Sequence, residues 1–209
     1  MNQHTVYTGM DTCLAENGEA LFRLCLLLSR RSDAADSLAF EALLRLAVRE
    51  SGDPVSDRVF LLREACRLCR DWFYRKPRRL KAAVVQRDME ALGLPETWPK
   101  LCRLSFASRA ACALAASGYS PEEVRVIAGA GAARRALSLP AELLACAASV
   151  DLPEDRIQLL SDRVWQRMEE RSVSVENRLH DFHASFERAA PFLALGVLLL
   201  FGLALWLTR

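Results

Sequence analysis

Apolar side chains recur every three to four residues through most of this chain, the spacing that one face of an α-helix requires. Alternating runs of β-branched residues, which mark strands, are nearly absent. The pattern therefore predicts an all-α fold that begins with a three-helix bundle, its third helix running from about Ser56 to Tyr74. The three apolar faces are formed by Leu21, Leu24, Cys25 and Leu28; by Phe40, Leu43, Leu44, Ala47 and Val48; and by Leu61, Ala65, Leu68, Cys69 and Trp72.

A second helical unit is predicted after Gly93, which ends a short helical linker. Ser120 and Glu123 stand at the spacing of a capping box, and Pro121 occupies the first helical position. Gly129 then ends this helix, and a further short helix follows. The predicted order is therefore helix, tight turn, helix.

The last part of the chain is acidic and then becomes entirely apolar. Between residues 139 and 188 there are six arginines and ten acidic residues, on one or two predicted amphipathic helices. Residues 189–207 carry no charged side chain. A helix of this length reaches roughly 28 Å, close to the roughly 30 Å hydrocarbon core of a bilayer. The sequence therefore predicts a single membrane-spanning helix, and the alternative of a buried core helix would need a large apolar surrounding.

The residues that flank the predicted anchor favour one orientation. Arg178 and Arg188 precede it, and basic flanks favour the cytoplasmic side. The first fifteen residues lack a basic start followed by an apolar run, so no secretory signal is expected. The expected protein is single-pass, with the bulk of the chain in the cytoplasm.

Charge is distributed unevenly, although the formal net charge is only +2. Six cations and one acid lie between Arg70 and Lys81, and we call these twelve residues the basic patch. The patch is either a solvated helix face or a surface for an anionic partner. The seven cysteines lie mostly at apolar helical positions, where they are expected to be small buried hydrophobes rather than disulfides.

Catalytic and metal-binding patterns are weak. Cys66 and Cys69 have metal-ligand spacing, but no second cysteine or histidine pair stands nearby in the sequence. His180 and His183 share a predicted helix face without a third ligand or a nucleophile. A glycine-rich phosphate loop and a nucleophile elbow are both lacking. We therefore expect a protein that is not an enzyme and that uses no cofactor or metal.

Three motifs follow one another in the body of the chain. Asp-Ala-Ala-Asp at residues 33–36 precedes an apolar helix, and Asp-Trp-Phe-Tyr-Arg-Lys at residues 71–76 ends the third helix. Gly-Tyr-Ser-Pro-Glu-Glu-Val at residues 118–124 begins the helix-turn-helix. In type and order these motifs resemble the second and fourth conserved regions of bacterial sigma factors of the extracytoplasmic-function type. The resemblance covers about residues 19–139.

The resemblance implies partners and contact residues. The partners are RNA polymerase core and promoter DNA, beside the inner membrane that holds the anchor. The implied polymerase contacts are Asp33, Asp36, Phe40, Glu41 and Leu44. The implied DNA contacts are Trp72, Phe73, Tyr74, Arg75, Lys76, Arg78, Arg79, Arg134 and Arg135. The implied organisation is a sigma region 2-like domain (16–79), a linker (80–96), a sigma region 4-like helix-turn-helix domain (97–139), an acidic juxtamembrane segment (140–188) and the transmembrane helix (189–207).

The chain departs from the family pattern where DNA would be read. Arg67 stands where an asparagine is common in the third helix, and Cys66 replaces a neighbouring basic residue. Residues 130–133 carry no hydrogen-bonding side chain for a base edge. Arg134 and Arg135 remain, and they favour contacts with phosphates over sequence readout.

Residues 151–207 are similar in arrangement to a membrane-anchored anti-sigma factor fused in cis, although the zinc-binding signature of that family is not matched. The tail could cover the basic or polymerase-binding faces until a protease or another partner releases it, or it could be a simple spacer. The expected function is a membrane-tethered, sigma-like transcription regulator. The alternative is a degenerate, tail-anchored adaptor that acts only through protein contacts. A third class is the tail-anchored helical bundle of the apoptosis type. Proteins of this class would share the predicted anchor, but the sequence contains no motif that is specific to them.

Overall fold

Helices account for nearly all of the ordered backbone in the computed structural model, which describes residues 3–49, 53–75, 82–150 and 156–170. No strand occurs in these ranges, so the predicted all-α fold is confirmed there. Within the described ranges, residues 156–170 form a helical stretch that follows nine other helices. These are α1 (Gln3–Ser29), α2 (Ser32–Ala47), α3 (Pro54–Arg75), α4 (Ala82–Leu92), α5 (Trp98–Arg103), α6 (Phe106–Ala116), α7 (Pro121–Ala128), α8 (Ala130–Ala136) and α9 (Ala141–Ala148).

The breaks between the first helices have local causes. Arg30 has a φ of 63°, a left-handed conformation that ends α1. The carboxylate of Asp53 accepts hydrogen bonds from the backbone N–H groups of Val55 and Ser56 at 3.3 and 3.1 Å, which caps the start of α3. Buried Asp88 on α4 accepts hydrogen bonds from the backbone N–H and the hydroxyl of Ser32, both at 3.0 Å. This side chain therefore ties the linker helix to the start of α2.

The core is built around α1, which packs against α2, α3 and α6. Its leucines at 21, 24 and 28 are fully buried, together with Cys25. All seven cysteines lie in the described ranges, and each is buried and free of disulfide bonding, as predicted. Most of the apolar residues inferred from the sequence thus lie in one interior, but the prediction is wrong for Val48, which follows the end of α2 and is 58% exposed.

The helices of both predicted sigma-like domains belong to one compact unit, Met1–Val164. Arg23 on α1 donates hydrogen bonds to the Ser117 hydroxyl at 2.7 Å and to the Val150 carbonyl at 3.2 Å. The Tyr119 hydroxyl donates to the side-chain oxygen of Asn17 at 3.3 Å. Polar contacts therefore join α1 to the second set of helices, while the predicted limits of the two domains stay predictions.

A second compact unit begins at Trp165, and its described part, residues 165–170, is helical. Within the described ranges, no helix combines the length and the apolar character that crossing a bilayer requires. The predicted anchor at 189–207 lies outside these ranges, as does the juxtamembrane sequence from residue 171 onward.

Candidate functional site

Residues 156–164, which we call the tail segment, pack on the first two helices. Leu160 and Val164 on one face of this segment are 3% and 0% exposed, whereas Leu159, the residue before Leu160, is 58% exposed. Gly18 lies on α1 beneath the segment, and a Cβ atom there would stand 3.6 Å from the Cδ1 atom of Ile157. The tail segment is therefore amphipathic and docked, and Ile157 lies at van der Waals distance from the Gly18 position of α1.

The tail segment touches two of the predicted polymerase contacts. A guanidinium nitrogen of Arg156 lies 3.7 Å from a carboxylate oxygen of Asp36. The guanidinium group of Arg163 lies 5.1 Å from the ring centroid of Phe40, within cation–π range. Burial raises the pKa of Asp36, and the nearby charges of Arg156 and Arg163 oppose that shift. Asp36 and Phe40 thus each lie beside an arginine of the tail segment.

The other three predicted polymerase contacts have different surroundings. Asp33 is ion-paired with Arg31, whose hydrogen bond holds the pKa of this carboxyl below its usual range. Glu41 lies 3.1 Å from Arg45 on the next turn of α2. Leu44 is only 3% exposed and belongs to the core. Its side chain is not available to a partner, because this position on the helix faces inward.

The end of α3 combines aromatic rings with cations. Phe73 lies within cation–π range of two guanidinium groups, that of Arg30 at 5.2 Å from the ring centroid and that of Arg109 at 5.6 Å. Its ring centroid is also 6.2 Å from that of Phe106. Tyr74, by contrast, is 72% exposed. Among the predicted DNA contacts on α3, Tyr74 offers the most accessible ring, whereas Phe73 is held by neighbours inside the protein.

The remaining predicted contacts at this end of α3 are only partly described. Trp72 is half-buried, and Arg75 is the last residue of the helix. Lys76, Arg78 and Arg79 lie outside the described ranges. The structure therefore places the aromatic part of the predicted DNA-contacting segment at the rim of the fold, and the basic residues beyond Arg75 stay predictions.

A cleft of about 740 Å³ opens beside Phe73. Its walls come from α3, α4, α5 and α6, together with Arg30 after α1. Among the described residues it is lined by Arg30, Phe73, Tyr74, Ala82, Val85, Gln86, Met89, Pro99, Cys102, Arg103, Leu104, Ser105, Phe106 and Arg109. Three of these side chains are arginines and none is a carboxylate, so the lining is cationic and partly aromatic.

Arg109 is the buried cation of this cleft and is 2% exposed. Its guanidinium group donates hydrogen bonds to the carbonyl oxygen of Leu104 and to that of Leu28, the latter at 3.4 Å. Burial lowers its pKa to about 10, and the nearby charge of Arg30 acts in the same direction. The Nε atoms of Arg30 and Arg109 are buried without a hydrogen-bond partner among the described residues. Arg109 therefore stays cationic near neutral pH with donor capacity unused.

Sequence reasoning missed Arg30 and Arg109, because they lie outside the basic patch and far apart along the chain. Arg109 sits between serine and alanine residues on an apolar helix, where a single arginine predicts a solvated position rather than a buried one. The one sequence feature that could have indicated Arg109 is its position as a single cation on the apolar face of α6.

The α7–α8 turn has the local geometry that the sequence predicts. The Ser120 hydroxyl accepts from the backbone N–H of Glu123 at 3.3 Å, and the Glu123 carboxylate accepts from the backbone N–H of Ser120 at 2.9 Å. The predicted capping box is thus confirmed. In α8, Ala132 and Ala133 are buried. Its exposed cations are Arg134 and Arg135, and their predicted contacts with DNA stay predictions.

Gly129 is expected to be essential to the α7–α8 turn. Its φ of 94° and ψ of 169° lie in a region that only glycine adopts readily. We expect Gly129→Ala to lower the free energy of unfolding by about 1–3 kcal/mol, measured by thermal unfolding followed by circular dichroism. Gly131 is the matched control, because it is helical and has open space where a Cβ would lie. Gly131→Ala should be neutral or stabilising by up to about 1 kcal/mol, and equal losses in both variants would contradict this account.

Metal-binding groups do not assemble in the described ranges, where no three histidine, cysteine or acidic side chains meet in a way that could hold an ion. Burial raises the pKa of the Cys66 thiol to about 12, which disfavours the thiolate that a metal needs. His180 and His183 lie outside the described ranges.

Comparison with known proteins adds no relative. No protein-family model, curated protein or solved structure matches this chain. The similarity to sigma factors therefore rests on the three motifs alone, and it stays a prediction.

Proposed function

We propose that this protein is a membrane-tethered, sigma-like regulator of transcription whose tail segment restrains its own binding to RNA polymerase core. The observation that carries the proposal is the contact of Arg156 and Arg163 with Asp36 and Phe40. The sequence motifs assign these two α2 residues to polymerase binding. A polymerase that used this face would have to displace the tail segment.

The packing of the tail segment favours a restraint over a spacer. A spacer needs no apolar side chains buried against the body, yet Leu160 and Val164 are both buried. Burial of one such side chain contributes roughly 1.5–3 kcal/mol, so the docked segment is held by a few kcal/mol. That is strong enough to favour the closed arrangement and weak enough for a tight partner to reverse it. Proteolysis of the tail would also reverse the closed arrangement.

The second candidate function, an adaptor that acts only through protein contacts, is favoured by the composition of α8. The residues at its start are alanine and glycine, and none of them can donate a side-chain hydrogen bond to a base. Arg134, Arg135 and Tyr74 are exposed and could contact phosphates and unpaired bases. Under the first proposal these residues make weakly selective DNA contacts, whereas an adaptor would need none.

Leu160→Asp in the full chain tests the restraint. We expect this variant, in detergent, to capture purified bacterial RNA polymerase core at least about tenfold more tightly than the unmodified chain, because a buried carboxylate releases the tail segment. Leu159→Asp is the matched control, since it places the same charge one residue away on the exposed face. This control should bind as the unmodified chain does. Helix content measured by circular dichroism shows whether each variant remains folded.

The outcomes separate the two functions. Equal capture by both aspartate variants and the unmodified chain would contradict the restraint while keeping polymerase binding. Absence of capture by all three would contradict polymerase binding and favour the adaptor.

A further inference from the structure

We propose that the cleft between α3, α4, α5 and α6 binds a small organic anion of the nucleotide class, with its phosphate against Arg30, Arg103 and Arg109 and its ring against Tyr74. The ligand site stands whether or not the chain binds polymerase. Its volume of about 740 Å³ falls within the roughly 300–1,000 Å³ of small-molecule sites.

The charge of the cleft requires an anion. Arg30, Arg103 and Arg109 line it, and no carboxylate does so among the described residues. Three guanidinium groups that face one concave space repel one another unless an anion is bound between them. Guanidinium groups with unused donors also match phosphate oxygens well. The unpartnered Nε atom of Arg109, a side chain that is 2% exposed, shows that the fold has buried a donor here without satisfying it.

The start of α6 adds to the same field. Leu104, Ser105 and Phe106 line the cleft, and α6 begins at Phe106. Backbone N–H groups in the first turn of a helix favour anions, and α6 has 11 residues. Arg109 lies one turn into this helix. The helix start and the buried cation thus border the same cleft.

The aromatic wall favours an anion that carries a planar ring. The guanidinium groups of Arg30 and Arg109 already lie against the Phe73 ring, so this ring is held in place. Tyr74 meets Phe73 edge-on, with centroids 5.9 Å apart, and remains 72% exposed. Its ring is available for stacking, which is worth about 1–3 kcal/mol per base in nucleic-acid complexes. Inorganic phosphate alone would use the cations but leave this ring uncovered.

A bound ligand would touch helices from both predicted sigma-like domains and from the linker between them. Tyr74 belongs to the first predicted domain, Val85 and Met89 belong to α4, and Arg103 and Arg109 belong to the second predicted domain. Occupancy of the cleft would therefore stabilise one arrangement of these elements, which is how a small ligand regulates a protein.

Calorimetric titration of the full chain in detergent tests this site with ADP, GDP, CDP and UDP, each compared with adenosine and with inorganic phosphate. We expect at least one diphosphate to bind with one ligand per chain and at least about tenfold more tightly than either adenosine or phosphate. Val85→Trp should weaken that binding at least about tenfold by filling the cleft. Val84→Trp is the matched control, because Val84 neighbours Val85 on α4 but does not line the cleft, and this variant should leave binding unchanged.

Arg103→Ala tests the charge separately, because this exposed side chain can be removed without opening the core. We expect it to weaken diphosphate binding and to flatten the dependence of binding on salt. Binding of none of the four diphosphates would overturn the proposal. So would adenosine binding as tight as that of ADP, or equal binding by the two tryptophan variants.

Discussion

Above about pH 10 the protein is expected to lose much of its stability, because its buried thiols ionise far more readily in the unfolded chain. Burial raises the pKa of Cys13 and Cys112 from the ordinary 9.0 to about 11. It raises the pKa of Cys66 and Cys102 to about 12. The pKa of Cys146 moves in the same direction for the same reason.

The direction of this pH dependence follows from which protonation state of the thiols the folded protein favours. The folded state favours neutral thiols, so their contribution to stability is fully present below about pH 9 and is lost as the pH rises toward 11 or 12. At one pH unit above its unfolded pKa, each such thiol lowers the free energy of unfolding by about 1.4 kcal/mol. Four thiols together lower it by about 5 kcal/mol, comparable with the total stability of many domains.

Urea unfolding at about pH 8 and at about pH 10 measures this loss in the full chain under reducing conditions. Cys112→Ala provides the internal control, since it removes one titrating thiol from a fully buried position on α6. Its loss of stability between the two pH values should be smaller by the contribution of one thiol, about 1.4 kcal/mol. Equal stability at both pH values would show that the thiols ionise freely in the folded protein.

The helices themselves could be predicted because their signals are local. The boundaries of α7, Pro121–Ala128, agree with the sequence prediction, since Ser120, Pro121 and Gly129 fix both ends within a few residues. The third helix was expected over 56–74 and is observed as Pro54–Arg75. Asp53 caps its start, and this adds the two residues that periodicity alone leaves out.

The joining of the two helical sets could not be predicted, because it depends on contacts between distant residues. Arg23 reaches Ser117 and Val150, and Arg58 lies 2.9 Å from Glu123. In the sequence, each of these side chains has the features of a solvated helix position. Gly93 and its neighbours are typical of a domain boundary, and a local pattern of this kind carries no information on which residues pack across it.

The two candidate surfaces differ in the same way, because one can be predicted from the sequence and the other cannot. The basic patch is visible in the sequence because its cations are consecutive, and the structure describes its aromatic beginning. The cleft is not visible there, because Arg30 and Arg109 meet around Phe73 only after α1, α3 and α6 have packed. Clustering of charge in space, rather than along the chain, decides where an anion can bind.

Truncation of the Trp98 side chain is expected to lower the free energy of unfolding more than any other single truncation in the second set of helices. Trp98 is 1% exposed, and it opens α5, which packs against α9. Trp98→Ala should lower the free energy of unfolding by about 3–5 kcal/mol, because the cavity it leaves cannot be filled by the surrounding helices. Urea unfolding of the full chain, followed by circular dichroism, gives the difference.

Trp98→Phe separates volume from hydrogen bonding. The indole Nε1 atom is buried and has no hydrogen-bond partner among the described residues, so the native side chain already bears the cost of an unsatisfied donor. Phenylalanine removes that donor while it keeps most of the ring, and we expect it to cost no more than about 1 kcal/mol. A loss as large as that of the alanine variant would mean that the indole N–H is bonded in solution. A small loss for both variants would mean that α5 contributes little to the core, and the ligand cleft, which α5 helps to form, would then lack a rigid wall.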